Sequence, residues 1–260
     1  LLGLAELGHD VWFCEDSGDY PLCYDPERGV VDADPGYGLA YAQRVFERIG
    51  FSERWAYHDH LNGDAWRGGI GNRMKSVCES ADLVINVSGI NPLRPWLQDI
   101  PVRALIDTDP VFTQVDILKD PERRAFAAGH NAFFTFAENI GQPDCEMPDD
   151  GLPWRATRQP VSSSHWPASP APADGAWTTV MVWDPYHARE WQGRSWGMKS
   201  VEMEKVLDLP SRCTERFEIA LGGSATPRDR LTAQGWTLRD PLAITRDPWT
   251  YQQYLCDSKA

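Results

Sequence analysis

The chain has 260 residues, of which 42% are hydrophobic and 24% are charged, and its net charge is -13 at pH 7. Such an acidic chain is not expected to bind nucleic acid or an anionic membrane, because both need a basic surface. No apolar run of about 18 residues predicts a membrane-spanning helix, and no signal peptide is visible. The six cysteines form no C-x-x-C pair, so we expect reduced thiols and a cytoplasmic protein.

The first half of the chain alternates helical and strand-like segments. In chain order we predict a helix at 1–7, a strand at 11–14, a surface loop at 17–36, a helix at 37–49, an irregular stretch at 51–73, and strands at 81–89, 102–110 and 131–141. These strands are apolar along their length, which is typical of parallel sheets covered on both faces. The pattern therefore predicts an α/β domain.

Proline, serine, aspartate and alanine replace this pattern at residues 142–175, which marks the best domain boundary in the chain. We predict an amino-terminal domain at 1–158, a linker at 159–176 and a second domain at 177–260. The second domain begins with a strand at 178–183, a polar loop and a helix. A strand at 217–223, a helix at 227–235 capped by Thr226 or Ser224, a strand at 235–241 and an amphipathic segment at 250–260 follow.

Three groups of segments resemble glycosyltransferases of the GT-B fold. They are LLGLAELGHDVWFCED at the start, TTVMVWDPY followed by WGMKSVE, and FEIALGGS followed by GWTLRDP and PWTYQQYLCDSKA. The resemblance implies two Rossmann-like domains facing across a cleft, the first for the acceptor and the second for a nucleotide-sugar donor. It also implies that a first strand precedes Leu1 and that the donor domain is incomplete at Ala260.

Candidate donor-binding residues lie in the second half. Lys199 falls at the predicted amino end of a helix, where unpaired N–H groups and the helix dipole attract phosphate, and the family commonly places basic residues there against the donor pyrophosphate. Arg194 precedes it in the polar loop. Gly222 and Gly223 allow a ligand to approach the end of a strand, and Asp184 ends another strand. A solvated lysine and ordinary turns explain the same residues equally well.

Candidate general bases lie in the first half at His58, His60 and Asp107. The two histidines have the spacing of a ligand pair but lack a convincing third ligand, so we predict a solvated loop there and no metal site. Asp107 and Asp109 form an Asp-x-Asp sequence after an apolar strand, which is typical of metal-binding GT-A enzymes. We favour an acceptor-facing or structural role, because a second α/β half follows the linker.

The sequence therefore predicts transfer of a sugar from a nucleotide-diphosphate sugar to an unknown acceptor, without a cofactor or a bound metal. One alternative is an NAD-dependent oxidoreductase, since Glu15 and Asp16 close a strand where such enzymes bind the adenosine ribose. The other alternative is a non-catalytic, two-lobed module that binds sugars or peptides.

Overall fold

The computed structural model describes residues 1–223 and 226–260 and divides the chain into two compact units, Leu1–Ser162 (unit 1) and Ser163–Ala260 (unit 2). The division lies within the segment 159–176 that the sequence predicts as a linker. Both units are mixed α/β with parallel strands, which confirms the predicted class at that level. No helix in the described ranges is both long and apolar enough to span a membrane.

Unit 1 contains nine strands and six helices among the described residues. Its strands are β1 (Phe13–Asp16), β2 (Cys23–Asp25), β3 (Val30–Asp32), β4 (Trp55–Asp59), β5 (Ala65–Arg67), β6 (Leu83–Val87), β7 (Val102–Asp107), β8 (Ala132–Thr135) and β9 (Arg155–Ala156). Its helices are α1 (Leu2–Glu6), α2 (Gly36–Arg48), α3 (Met74–Ser80), α4 (Pro95–Gln98), α5 (Phe112–Lys119) and α6 (Pro121–Ala128), and a 3₁₀ turn spans Gly71–Arg73.

Two sheets organise unit 1. The first has the order β1-β4-β5, with β1 and β4 parallel and β5 antiparallel to β4. The second has the order β6-β7-β8-β9, and all of its strands are parallel. Parallel neighbours end at the same edge of a sheet, so polar residues that follow β1 and β4 are brought together there.

Aromatic packing fixes helix α2 on the first sheet. The apolar face of α2 buries Phe46, whose ring lies 5.2 Å from that of Phe13 in β1 and stacks at 5.2 Å on Trp55 in β4. A separate cluster around Met74, which is almost completely buried, includes partly buried side chains from both sheets, Cys14 and Val84. The two sheets of unit 1 therefore share apolar contacts.

Unit 2 has one parallel sheet with the order β10-β13-β14. Its strands are β10 (Trp177–Val182), β11 (Arg189–Trp191), β12 (Arg194–Trp196), β13 (Phe217–Gly222) and β14 (Thr237–Arg239), and β11 and β12 form a hairpin. Its helices are α7 (Lys199–Glu204), α8 (Leu209–Arg212), α9 (Arg228–Ala233), α10 (Pro241–Thr245) and α11 (Pro248–Cys256). The apolar run of β13 supplies Ile219 and Leu221, which pack without solvent exposure in the core with Leu231.

Three sequence predictions are wrong in detail. The predicted loop at 17–36 contains the hairpin β2–β3, and the stretch at 51–73 contains β4 and β5. Helix α9 begins after Pro227 with no side-chain cap, so Thr226 is not its cap. Ser224, the other predicted cap, lies outside the described residues.

Candidate functional site

The carboxyl ends of β1 and β4 bring an acidic residue and a histidine together. Asp16 and His58 are register partners in this parallel pair, and their side chains meet with Asp16 Oδ2 2.6 Å from His58 Nδ1. Both side chains are buried, at 5% and 1% exposure. A carboxylate in contact with one ring nitrogen fixes the orientation of the imidazole and leaves the other nitrogen for chemistry.

Several donors hold the Asp16 carboxylate in place. Arg94 donates from Nε to Oδ2 at 3.0 Å and from Nη2 to Oδ1 at 2.9 Å, and the amide of Gly18 donates to Oδ1 at 2.8 Å. Burial alone raises the pKa of Asp16, but the hydrogen bonds from Arg94, His58 and Gly18 lower it below its ordinary value. Asp16 is therefore an ionised, immobilised partner of His58.

Asn91 joins this edge to the loop after β6. Its side-chain oxygen accepts from the amide of Asp16 at 2.9 Å, and its Nδ2 donates to the carbonyl of Cys14 at 3.0 Å. Asn91 thus satisfies the backbone of β1 in the way that a neighbouring strand would, and it fixes the position of the Asp16 backbone.

Aromatic rings enclose His58. The ring of Trp66 lies 4.7 Å from the imidazole and that of Trp96 lies 4.8 Å from it, measured between centroids. The ammonium of Lys75 lies 4.9 Å from the Trp96 ring. These contacts exclude water from the imidazole faces, which strengthens electrostatic interactions at its nitrogens.

The remaining members of the site lie on the turn between β4 and β5. His58 Nε2 is 2.9 Å from Asp64 Oδ1, yet it has no partner of hydrogen-bond geometry in the described part of the chain. His60 Nδ1 is 3.0 Å from the same oxygen, and the hydrogen bond with His60 lowers the pKa of Asp64. His60 Nε2 is 3.7 Å from Asp19 Oδ1, and the His60 amide donates to Ser17 Oγ at 3.0 Å.

The predicted solvated loop at His58-Asp59-His60 is therefore wrong for the first two residues. His58 and Asp59 are buried strand residues, and Asp59 accepts from Arg67 Nε and Asn62 Nδ2, both at 2.9 Å. His60 is partly exposed and begins the turn. Asp64 is an acidic neighbour that the sequence analysis did not identify: His58, His60 and Asp64 each offer one possible ligand atom, and these atoms lie within 4.8 Å of one another.

Asp107 lies at the carboxyl end of β7, in the second sheet of unit 1, and is buried. Its Oδ1 accepts from the amide of Asp109 at 3.0 Å and from Thr113 Oγ1 at 2.7 Å. Its Oδ2 accepts from Gln114 Nε2 at 3.0 Å and from Thr135 Oγ1 at 2.7 Å. Through these four hydrogen bonds the Asp107 carboxylate connects α5 and β8 to the end of β7. Because both of its oxygens already accept hydrogen bonds, the structural role is favoured over that of a base.

In unit 2 the ends of β10 and β13 meet as Val182 pairs with Gly222. Gly223 follows with a φ of 104°, a conformation that favours glycine. Asp184 Oδ1 accepts from Ser200 Oγ at 2.6 Å, which brings the start of α7 to the same edge. Lys199 is the first residue of α7 and is exposed.

Arg194 lies in the β11–β12 hairpin, where its guanidinium stacks 4.1 Å above the ring of Trp196. The structure therefore brings together four of the predicted donor residues, Asp184, Lys199, Gly222 and Gly223.

Sequence reasoning missed Arg94, Asp64, Trp66 and Trp96 as members of the unit 1 site. Only its oxidoreductase alternative gave a role to Glu15 and Asp16, as residues that bind a dinucleotide ribose; the Asp16 carboxylate is buried and bonded to protein donors. No local signal identified these residues, because they meet through the parallel register of β1 with β4, a strand that the sequence analysis did not predict.

Comparisons with protein-family profiles, with curated proteins and with solved structures found no match for this chain.

Proposed function

We propose that the protein is a glycosyltransferase of GT-B type, with a Rossmann-like domain in each of its two units. Unit 1 binds the acceptor and unit 2 binds a nucleotide-diphosphate sugar. The observation that carries this proposal is the buried Asp16–His58 pair at the carboxyl edge of β1 and β4, because such a pair is suited to general-base catalysis.

His58 removes the proton of the acceptor hydroxyl in this mechanism. Its Nδ1 is engaged by Asp16, so Nε2 is the nitrogen that accepts the proton. The acceptor oxygen bonds to the anomeric carbon, the bond from that carbon to the diphosphate breaks, and the diphosphate leaves with the bonding electrons. Asp16 stabilises the imidazolium that forms, and Arg94 acts as a positioning residue through Asp16.

Access to His58 Nε2 requires Asp64 to move. Its carboxylate covers Nε2 at 2.9 Å, but its side chain is 59% exposed. Asp64 has a φ of 57° on the turn before β5, a backbone conformation that aspartate tolerates better than most residues. An acceptor hydroxyl displaces this carboxylate and takes its place beside Nε2.

Donor binding is assigned to the edge formed by β10, β13 and the start of α7. Gly223 keeps the backbone open to a phosphate, while Lys199 offers an exposed ammonium beside the Asp184–Ser200 contact. Lys199, with Arg194 from the hairpin, balances the charge of the departing diphosphate, so the reaction as proposed uses no metal ion.

Calorimetric titration of the chain with UDP, GDP, UDP-glucose, GDP-mannose and NAD tests the donor assignment. We expect a nucleotide diphosphate to bind and Lys199→Ala to weaken it by about tenfold, equivalent to about 1.4 kcal/mol. Lys205→Ala is the matched control, because Lys205 follows the same helix and pairs with Glu202 instead. Binding of NAD alone would contradict the proposal and favour the oxidoreductase.

The base is tested by measuring nucleotide diphosphate release in the presence of candidate acceptors. His58→Gln should lower kcat by about 10²- to 10⁴-fold with donor affinity unchanged, since it removes proton transfer alone. His9→Gln, at an exposed position in the same unit, is the control. Equal turnover in the wild type and His58→Gln would exclude His58 as the base, and sugar binding without turnover would favour the non-catalytic module.

A further inference from the structure

We propose that His58, His60 and Asp64 form a binding site for a divalent transition-metal ion, with Zn²⁺ as the best fit. Each offers one ligand atom, and these atoms lie within 4.8 Å of one another. Two histidines and one carboxylate, with a fourth position left to water, are a recurrent zinc ligand set. The inference stands independently of the proposed transferase activity.

The orientation of His58 is the strongest observation. Its Nδ1 is engaged by the ionised Asp16 carboxylate, so in the neutral ring the proton lies there and Nε2 presents a lone pair. The Nε2 atom is almost completely buried and lies 2.9 Å from Asp64 Oδ1, but outside hydrogen-bond geometry. Two acceptors at this separation repel each other unless a cation lies between them.

The distance between the His58 and Asp64 ligand atoms suits a metal ion after a small shift. Two ligands bonded to zinc at about 2.0–2.1 Å in a tetrahedron lie roughly 3.3 Å apart. The His58 Nε2–Asp64 Oδ1 separation is 2.9 Å, so the two atoms need to separate by roughly 0.4 Å. The exposed Asp64 side chain can make this movement without disturbing the buried histidine.

The surroundings of His58 match those of a metal-ligating histidine. Such residues almost always donate their other ring N–H to a carboxylate or carbonyl, which fixes the ring and increases its basicity. Asp16 performs this role here, with Arg94 holding the carboxylate from the far side. Trp66 and Trp96 form an apolar shell that limits access of water to the imidazole.

The charge and chemistry of the cluster select the ion. The carboxylates of Asp16, Asp19 and Asp64 surround the imidazoles, and Arg94 is the cation that pairs with two of them. The excess negative charge favours a divalent cation. Imidazole ligands favour zinc, nickel or copper over Mg²⁺ and Ca²⁺, which prefer oxygen ligands.

A bound ion has a direct consequence for the proposed reaction. His58 Nε2 cannot both ligate a metal and accept a proton from an acceptor hydroxyl. Zinc should therefore inhibit transfer, and binding of zinc is measurable whether or not the chain transfers a sugar.

The test is a titration of the EDTA-treated, dialysed chain with ZnCl₂ against a chromophoric chelator. We expect one ion per chain at this site, with a large loss of affinity in Asp64→Asn and in His60→Ala, whose exposed positions leave folding intact. Asp16→Asn should weaken binding by about 10- to 100-fold, because it removes the partner of Nδ1. His9→Ala is the control and should bind zinc as the wild type does.

Cobalt substitution gives an independent readout of the ligands. Co²⁺ in the site should show visible bands typical of nitrogen and oxygen ligands, lost in Asp64→Asn and His60→Ala. Thiolate charge-transfer bands would assign the ion to cysteines and overturn the proposal. Absence of stoichiometric binding, or equal affinity in all of these variants, would overturn it as well.

Discussion

The two units place polar groups at the carboxyl edges of parallel strands in opposite ways. In unit 1, Asp16 and His58 are buried and held by protein partners. In unit 2, Lys199 and Gly223 are exposed at the corresponding edge of β10 and β13. The proposed function assigns these two edges different roles, because catalysis needs fixed, desolvated groups, while a phosphate-binding edge needs open backbone and accessible cations.

The largest expected effect tests the buried character of the unit 1 site. Arg94→Met leaves the ionised Asp16 buried without its main partner, and we expect the free energy of unfolding to fall by about 3 kcal/mol. Arg28→Met is the matched control, because the Arg28 side chain is itself 49% exposed where it pairs with Asp25 and Asp32. Urea denaturation of both variants measures the difference. Similar small losses in the two variants would show that the Asp16 environment is effectively solvated.

A pH series tests the same contrast through protonation. The pKa of Asp16 is lowered in the folded state, so its contribution to stability is present above the unfolded pKa of about 3.9 and is lost as pH falls through the lower folded value. The difference in free energy of unfolding between wild type and Asp16→Asn should therefore become smaller at acidic pH.

Asp150 provides a control of opposite sign. Burial raises its pKa in the folded state, so the folded protein binds more protons there and its stability falls as pH rises through that range. The free energy of unfolding of the wild type relative to Asp150→Asn should therefore fall as pH rises, whereas that relative to Asp16→Asn should increase. Gaps that change in the same direction for both residues would contradict these assignments.

The glycine pair of unit 2 tests whether its edge requires an unusual backbone. Gly223→Ala should cost about 1–2 kcal/mol, because the residue has a φ of 104°. Gly222→Ala should cost much less, since an added Cβ meets its nearest atom, Val182 Cγ2, at an ordinary 3.5 Å. Thermal unfolding of both variants measures the difference, and equal losses would remove the argument for a special conformation at residue 223.

The smallest effect concerns thiol reactivity rather than stability. Burial raises the pKa of Cys14 to about 12 and that of Cys78 to about 11, whereas Cys213 is exposed in unit 2. We expect iodoacetamide to modify Cys213 well before Cys14 and Cys78 at pH 8, because the thiolate is the reactive form. Peptide mass mapping over time would show this order. Early modification of Cys14 would contradict the burial of its thiol in the core that packs against β1.

The apolar strands were predictable from the sequence, and the polar strand was not. The segments that became β7, β10 and β13 are mostly apolar, and the start of α7 at Lys199 followed from the pattern. Strand β4 is hidden because its last residues, His58 and Asp59, are buried through ion pairs rather than through hydrophobicity. Hydropathy carries no signal for such burial.

Helix starts offered a signal that the sequence analysis did not use. Asp120, Asp240 and Asp247 each precede a proline, and each accepts a hydrogen bond from an amide in the first turn of α6, α10 or α11. An Asp cap followed by Pro at the first helical position is readable from sequence alone. The partners of His58 could not be predicted from the local sequence, because they depend on strand register.

The Asp16 network also bears on how unit 1 folds. Its hydrogen bonds join residues 42 positions apart, for Asp16 and His58, and 78 positions apart, for Asp16 and Arg94. Closing loops of this length costs chain entropy before any contact compensates for it, so distant pairings of this kind slow folding. The network should therefore form late in folding. A His58 that is oriented for chemistry would then indicate that β1, β4 and the segment before α4 have already reached their native positions.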